Sequence, residues 1–226
     1  MDPAAWRPWY EAIARDFGFD ARADEAARDA LDALLSTHEE PDLAAMADAL
    51  RGREAWIVGA AATGDDAARI PAGAAVLVAD AAAAVALPAL PQPPLAVVTD
   101  LDGDVAAQRE ANARGVPLFV HAHGDNLDAL RREVPRLTGP VAGTTQVAPR
   151  GRVRAFGGFT DGDRACCVAA DLGASSLALV GFDYDAPVAK PGRDPAVKRR
   201  KLAWARRIVE GLDVPARHVG RHSTAK

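Results

Sequence analysis

Five short, continuously apolar runs constrain this chain most: AWIVG (55–59), AAVLVA (74–79), LAVVT (95–99), VPLFV (116–120) and SLALVG (176–181). A half-exposed strand alternates apolar and polar residues, whereas a strand apolar at every position is covered on both faces. Between the runs lie stretches with helical spacing, predicted at about 104–114, 124–134, 161–172 and 194–211. Buried strands separated by helices predict an α/β fold with a mainly parallel sheet and helices on both faces. The proline-rich LPALPQPP (87–94) reads as a surface loop, and no internal repeat is visible.

The first fifty residues read differently. Trp6, Tyr10, Ile13 and Phe17 recur at helical spacing, and Gly18 is a natural stop. Asp20 suits an N-cap before a second helix that carries Leu31, Leu34 and Leu35. PDLAAMADALRG enters a third helix through Pro41 and stops at Gly52. Residues 1–52 are thus expected to form a helical cap on a sheet domain spanning 53–226.

The formal net charge is −4, spread unevenly: residues 186–226 hold eleven Lys/Arg against three Asp/Glu, and the rest is acidic. A basic segment on an acidic body suits a phosphate-bearing ligand or a solvated helix face. The acidic total and the lack of a nucleic-acid module argue against a nucleic-acid partner. No apolar run approaches membrane-spanning length, and no signal peptide is visible. Cys166 and Cys167 are adjacent and the only cysteines, which gives neither a disulfide framework nor a thiolate zinc site and suits a cytoplasmic location. The chain is compatible with a homo-oligomer, a point its composition leaves open.

In open parallel sheets, ligands bind beyond the carboxyl ends of strands, and polar clusters follow the runs here. TDLDGD supplies Asp100, Asp102 and Asp104. Two carboxylates two residues apart can share a hard divalent cation, with magnesium the natural choice; the alternative is an acid-rich helix start, which suits Asp104. HAHGDN places His121 and His123 on one side of a strand end, as ligands, phosphate contacts or substrate contacts. Asp125 or Asn126 also suits a helix N-cap. GGFTDGDRA opens a helix with Thr160 or Asp161 as cap, Asp163 as a metal ligand and Arg164 as a phosphate partner; the bland reading is an ordinary capped helix. GAAATGDD (59–66) only loosely resembles a phosphate-cradling loop. TTQ (144–146) offers two hydroxyls and an amide on a turn, and KRRKLAWA (198–205) starts a basic helix.

Taken in order, VVTDLDGD, HAHGDN, GTTQ, GGFTDGDRA, GFDYD and KRRKLAWA resemble the archaeal MptE-like family of 6-hydroxymethyl-7,8-dihydropterin pyrophosphokinases, from about Trp56 to Ile208. The resemblance implies a Rossmann-like, sialyltransferase-like fold in which 53–226 is the catalytic domain. It implies magnesium-dependent transfer of diphosphate from ATP to the pterin's hydroxymethyl group, with AMP released, in tetrahydrofolate or tetrahydromethanopterin synthesis. The family's glycine-proline-serine loop is replaced here by Gly59-Ala60-Ala61-Ala62-Thr63-Gly64.

On that reading Asp100 and Asp102, with Asp161 or Asp163, hold magnesium. Arg164 and Lys201 offset charge on the transferred group and on AMP, and His121 or His123 orients the hydroxyl or takes its proton. Gly59, Thr63 and Gly64 are expected at the nucleotide. Asp125, Asn126, Thr144, Thr145 and Gln146 are expected at the pterin. Rival readings are a DxDG phosphohydrolase with Asp100 as nucleophile, a glycosyltransferase by fold analogy alone, and a nucleotide- or pterin-binding protein without turnover.

Overall fold

A computed structural model describes residues 1–186 and 194–220. Its centre is one eight-stranded sheet: β1 (Glu54–Val58), β2 (Ala75–Ala79), β3 (Ala96–Thr99), β4 (Leu118–Ala122), β5 (Val141–Thr145), β6 (Val153–Arg154), β7 (Ser176–Val180) and β8 (Ala216–Val219). The spatial order is β6-β5-β4-β3-β2-β1-β7-β8, and every neighbouring pair is parallel. The expected α/β architecture is therefore present, and the five apolar runs are β1–β4 and β7. Three strands were not anticipated. β5 and β6 carry too few bulky apolar residues to stand out, and the edge strand β8 reads ARHV.

The chain steps outward from β1 to β6, then returns to place β7 on the other side of β1. The direction of winding reverses between β1 and β7, and such a reversal opens a crevice at the carboxyl ends of the two strands.

The connecting helices are α4 (Gly64–Ala68), α5 (Ala83–Ala86), α6 (Val105–Ala113), α7 (Leu127–Glu133), α8 (Asp161–Asp171) and α9 (Pro195–Glu210), preceded in the chain by α1 (Pro3–Phe17), α2 (Ala21–Leu34) and α3 (Leu43–Leu50). Asp2, Asp20 and Asp42 each accept a bond from a backbone N–H of the first turn of α1, α2 and α3, offsetting donors that a helix start leaves orphaned. Asp104 does the same for α6, as expected.

Two apolar layers flank the sheet. One joins Leu31 of α2 and Leu35, just past its end, to Val76, Val78, Val97, Leu118 and Val120. The other joins Ile57, Leu77, Val98 and Leu179 to Ala165, Val168 and Ala169 of α8. Trp6, Tyr10 and Ile13 of α1 pack with Cys167 and Ile208 in a third cluster. The sheet thus presents its carboxyl ends as a ledge, with α2 and α8 on opposite sides of it.

Candidate active site

Three carboxylates meet on that ledge. Asp80 follows β2, and Asp100 and Asp102 follow β3; each offers an oxygen within 4.8 Å of the other two. Among the described residues this is the one group of three potential ligands so arranged. The turn that gathers them is strained, since Leu101 has φ of +64°, a left-handed backbone that a branched residue rarely adopts. Burial of the Leu101 side chain and a bond from its N–H to Thr99 Oγ1 at 2.8 Å hold it there. The twist sets Asp100 and Asp102 on the same side as Asp80.

The three acids are held unequally. Asp80 is 1% exposed. Its Oδ1 accepts from Thr99 Oγ1 and Gln108 Nε2, both at 2.6 Å, while its buried Oδ2 has no partner among the described residues. Burial, opposed by those two bonds and reinforced by the charges of Asp100 and Asp102, pushes its carboxyl up to about 6. For Asp100 burial acts upward too, but His123 and the Asp102 backbone hold the carboxyl down at about 2. Asp102 is exposed at the mouth. Asp161, half-buried at the start of α8, completes the acidic rim. Burial first, then repulsion from Asp100 and Asp80, raises it well above the ordinary carboxyl range.

A carboxylate whose buried oxygen lacks a donor, beside two further carboxylates, is what a hard cation requires and what a purely structural polar cluster avoids. Asp80 was missed in the sequence because it ends an alanine-rich run, AAVLVADAAAA, with no motif around it.

Several expected site residues lie elsewhere. Asp163 is not part of the three-carboxylate cluster. It is fully buried, and its two oxygens accept from Phe159 N at 2.6 Å, from Thr160 N at 2.8 Å and from the Thr160 hydroxyl, closing a capping box at the start of α8. Arg164 is 1% exposed and donates from Nη1 to Gly157 O at 3.2 Å. It sits beneath the rim, where Asp161 and Asp163 counter the cost of burying its charge.

The loop after β1 turns several of its polar groups inward. Thr63 donates its hydroxyl to Asp66 Oδ2 at 2.7 Å and accepts from Asp66 N, a second capping box, so Thr63 and Gly64 simply start α4. The N–H groups of Gly59, Ala61 and Ala62 are taken by Val180 O, Gly181 O and Gly59 O.

The histidines part company as well. His121 is 3% exposed, with Nδ1 3.1 Å from Thr144 Oγ1. Burial, then the nearby charge of Arg164, drives it well below the ordinary imidazole range, so it stays neutral. His123 stacks on it at 5.8 Å but is partly open. Its Nε2 lies 3.6 Å from Asp100 Oδ2, and its Nδ1 accepts from Asp125 N at 3.3 Å.

Asn126 occupies the N-cap position of α7, yet its side chain acts as a staple. Oδ1 accepts from His123 N at 3.1 Å, and Nδ2 donates to Asp100 O at 2.9 Å and His121 O at 2.7 Å, locking the ends of β3 and β4 together. Thr144 and Thr145 belong to β5, not a turn, and are fully buried. Gln146 is 5% exposed and donates to Asp24 at 2.8 Å. Of the residues expected at the pterin, only Asp125 remains exposed.

Beside the triad, at the β1/β7 reversal, lies a cleft of about 600 Å³ including its open mouth. Gly59, Ala79, Asp161, Phe182, Lys198 and Leu202 are among its lining residues. Gly59 is required by space: a Cβ there would lie 2.8 Å from the Phe182 ring, which also abuts Gly162. Lys201, one turn along α9, holds its Nζ 5.5 Å from the centre of the Phe159 ring, so Lys198 is the lysine at the cleft.

No family model matches this chain. It is 40% identical to the 6-hydroxymethyl-7,8-dihydropterin pyrophosphokinase of Methanothermobacter thermautotrophicus, across 94% of this chain and 96% of the relative. Proteins of the same name from Methanocaldococcus jannaschii and Pyrococcus furiosus are 31% and 34% identical, across 94% and 92% of this chain and 96% and 92% of theirs.

Proposed function

We propose a mechanism from one premise: this chain belongs to the 6-hydroxymethyl-7,8-dihydropterin pyrophosphokinase family. Its reaction joins the pterin's hydroxymethyl oxygen to the β-phosphorus of ATP and breaks that phosphorus from its bridge to the α-phosphate, so AMP leaves. Such a transfer needs alignment and charge neutralisation more than covalent help. The observation that carries the reading is the Asp80–Asp100–Asp102 cluster beside the β1/β7 cleft in a chain 40% identical to a protein of that name.

The cluster's donors fit magnesium: they are all carboxylate oxygens, and one of them is buried without a partner. Asp80, Asp100 and Asp102 would hold the ion, with Asp161 at its edge. Bound there, magnesium would neutralise charge on the phosphate oxygens of ATP.

The nucleoside of ATP belongs in the cleft. Phe182 and Leu202 supply apolar walls, and Lys198 supplies a cation for the phosphates. The pterin then approaches from the β3/β4 side, where His123 and Asp125 are the open polar groups. His123 makes two loose contacts, at 3.3 and 3.6 Å, which a substrate hydroxyl can replace, and it is the group suited to orient that hydroxyl and take its proton. Arg164 acts from beneath, its buried charge supporting the acidic rim. No described helix is long and apolar enough to cross a membrane, and ATP as co-substrate with two unpaired cysteines supports work in the cytoplasm.

Purified protein incubated with ATP, magnesium and 6-hydroxymethyl-7,8-dihydropterin should release AMP one-for-one with a pterin diphosphate. Free phosphate or ADP without AMP would refute this reading in favour of hydrolysis or single-phosphate transfer.

A further inference from the structure

We infer that Asp24, on α2 of the N-terminal cap, is a positioning residue for diphosphate transfer, acting through the loop that carries His123. The inference rests on the reaction proposed above and extends its machinery to helices outside the sheet.

Asp24 is 3% exposed and accepts three hydrogen bonds from three different parts of the chain. Its Oδ1 accepts from Gly124 N at 2.7 Å. Its Oδ2 accepts from the Tyr10 hydroxyl at 2.7 Å and from Gln146 Nε2 at 2.8 Å. Bonds to an ionised acceptor are stronger than neutral ones and shape their surroundings accordingly. Gln146 follows β5, and its carbonyl also accepts from Trp6 Nε1 at 2.9 Å, so α1 and α2 grip the same strand end.

The bond to Gly124 matters most for chemistry, because that N–H belongs to the peptide joining His123 to Gly124. On its other side His123 is fixed by its own N–H, donated to Asn126 Oδ1. Both peptides flanking His123 are therefore tied down, one by the sheet ends and one by the cap. Its ring in turn faces Asp100 of the triad. The loop also lies flush on α2: a Cβ at Gly124 would stand 2.7 Å from the Ala23 Cβ. Gly124 does not adopt a left-handed φ, so its lack of a side chain serves close approach to α2 and not an unusual backbone.

An active group held within a fraction of an ångström loses much of its rate when displaced by about 1 Å, by roughly a hundredfold in the extreme. Asp24→Asn leaves one oxygen where two served three donors, so the Gly124 N–H or the Tyr10–Gln146 pair then faces an amide N–H₂. It should lower kcat about ten- to hundredfold and leave KM for ATP within about twofold, since the cleft at β1/β7 is untouched. Gly124→Ala keeps the carboxylate and every donor but pushes the loop off Ala23, and should lower kcat in the same direction. Tyr10→Phe removes one of the three bonds without touching the loop, and should keep kcat within about twofold.

The imidazole resonances of His123, read by NMR without substrate, should move in Asp24→Asn and Gly124→Ala and stay fixed in Tyr10→Phe. Wild-type kcat in folded Asp24→Asn, or equal losses in Tyr10→Phe and Asp24→Asn, would overturn the inference. If Asp24→Asn does not fold, Gly124→Ala decides on the same readouts. Wild-type protein that makes no AMP would refute the proposed reaction instead; unmoved His123 resonances in Asp24→Asn and Gly124→Ala would then overturn the positioning claim on their own.

Discussion

Asp80 is held at a cost in stability, and the amount can be worked out. Burial and two neighbouring acids raise its carboxyl from the ordinary 3.8 to about 6. In the unfolded chain it ionises near 3.8, so from there to about 6 the folded state holds a proton that the unfolded state has released. Stability from this group is complete below pH 3.8, declines as pH rises through about 6, and is absent at pH 8. At about 1.4 kcal/mol per pH unit the gap is worth about 3 kcal/mol. Asp80→Asn removes the charge while keeping an Oδ1 that accepts from Thr99 and Gln108. The new amide N–H₂ replaces the orphaned Oδ2 and can pair with Gln108 Oε1, itself buried and unpartnered. In EDTA at pH 8 the variant should therefore melt higher than wild type, by up to about 6–12 °C for a chain of this size, and the difference should vanish near pH 4. Magnesium should raise the melting temperature of wild type more than that of the variant, and the variant should lose turnover. Thermal melts at several pH values, with and without the cation, test this. A variant less stable than wild type at pH 8 in EDTA would refute the claim that Asp80 is held at a cost for a cation.

Three further outcomes follow from the site. Lys198→Ala should raise KM for ATP about tenfold in steady-state assays, and Lys201→Ala should raise it less, because the Lys201 ammonium lies over Phe159. Gly59→Ala forces a methyl to within 2.8 Å of the Phe182 ring and should cost about 1–3 kcal/mol in denaturant melts while weakening nucleotide binding. His121, kept neutral by burial and then by Arg164, should titrate by NMR well below the ordinary imidazole range. Because the unfolded chain takes up that proton below about 6.5, this group's contribution is present above that pH and lost as acid is added.

What the sequence disclosed about the fold followed burial. β1–β4 and β7 are covered on both faces, so their residues are apolar throughout and stand out against any background. β5 is just as buried, yet reads VAGTT, because Leu35, just past the end of α2, and Val153 leave no room for a side chain at Gly143 and because Thr144 turns its hydroxyl inward to His121. Packing against a crowded neighbour erased the hydrophobic signal there. β8 lies at the edge with exposed side chains, so its sequence is barely constrained.

The site was legible by location more than by role. Motifs at strand ends pointed to one ledge, and Asp100, Asp102, Asp161 and His123 gather there. Sequence could not divide the polar residues of HAHGDN, TTQ and GGFTDGDRA into those that meet a substrate and those that hold the first group in place. The division depends on partners remote in the chain: Asn126 with Asp100, Gln146 with Asp24, Thr144 with His121. The same remoteness hid Asp80 and Asp24, which sit in unmarked alanine-rich stretches. A polar residue in a strand-end motif is as apt to be consumed by the fold as displayed by it. Here the asymmetry has a physical cause. A ledge carrying several like charges repels itself, so it must be braced from beneath. The neutral His121, the Arg164 cation and the Asp163 capping box lie in a buried layer, beneath the more exposed Asp100, Asp102 and Asp161.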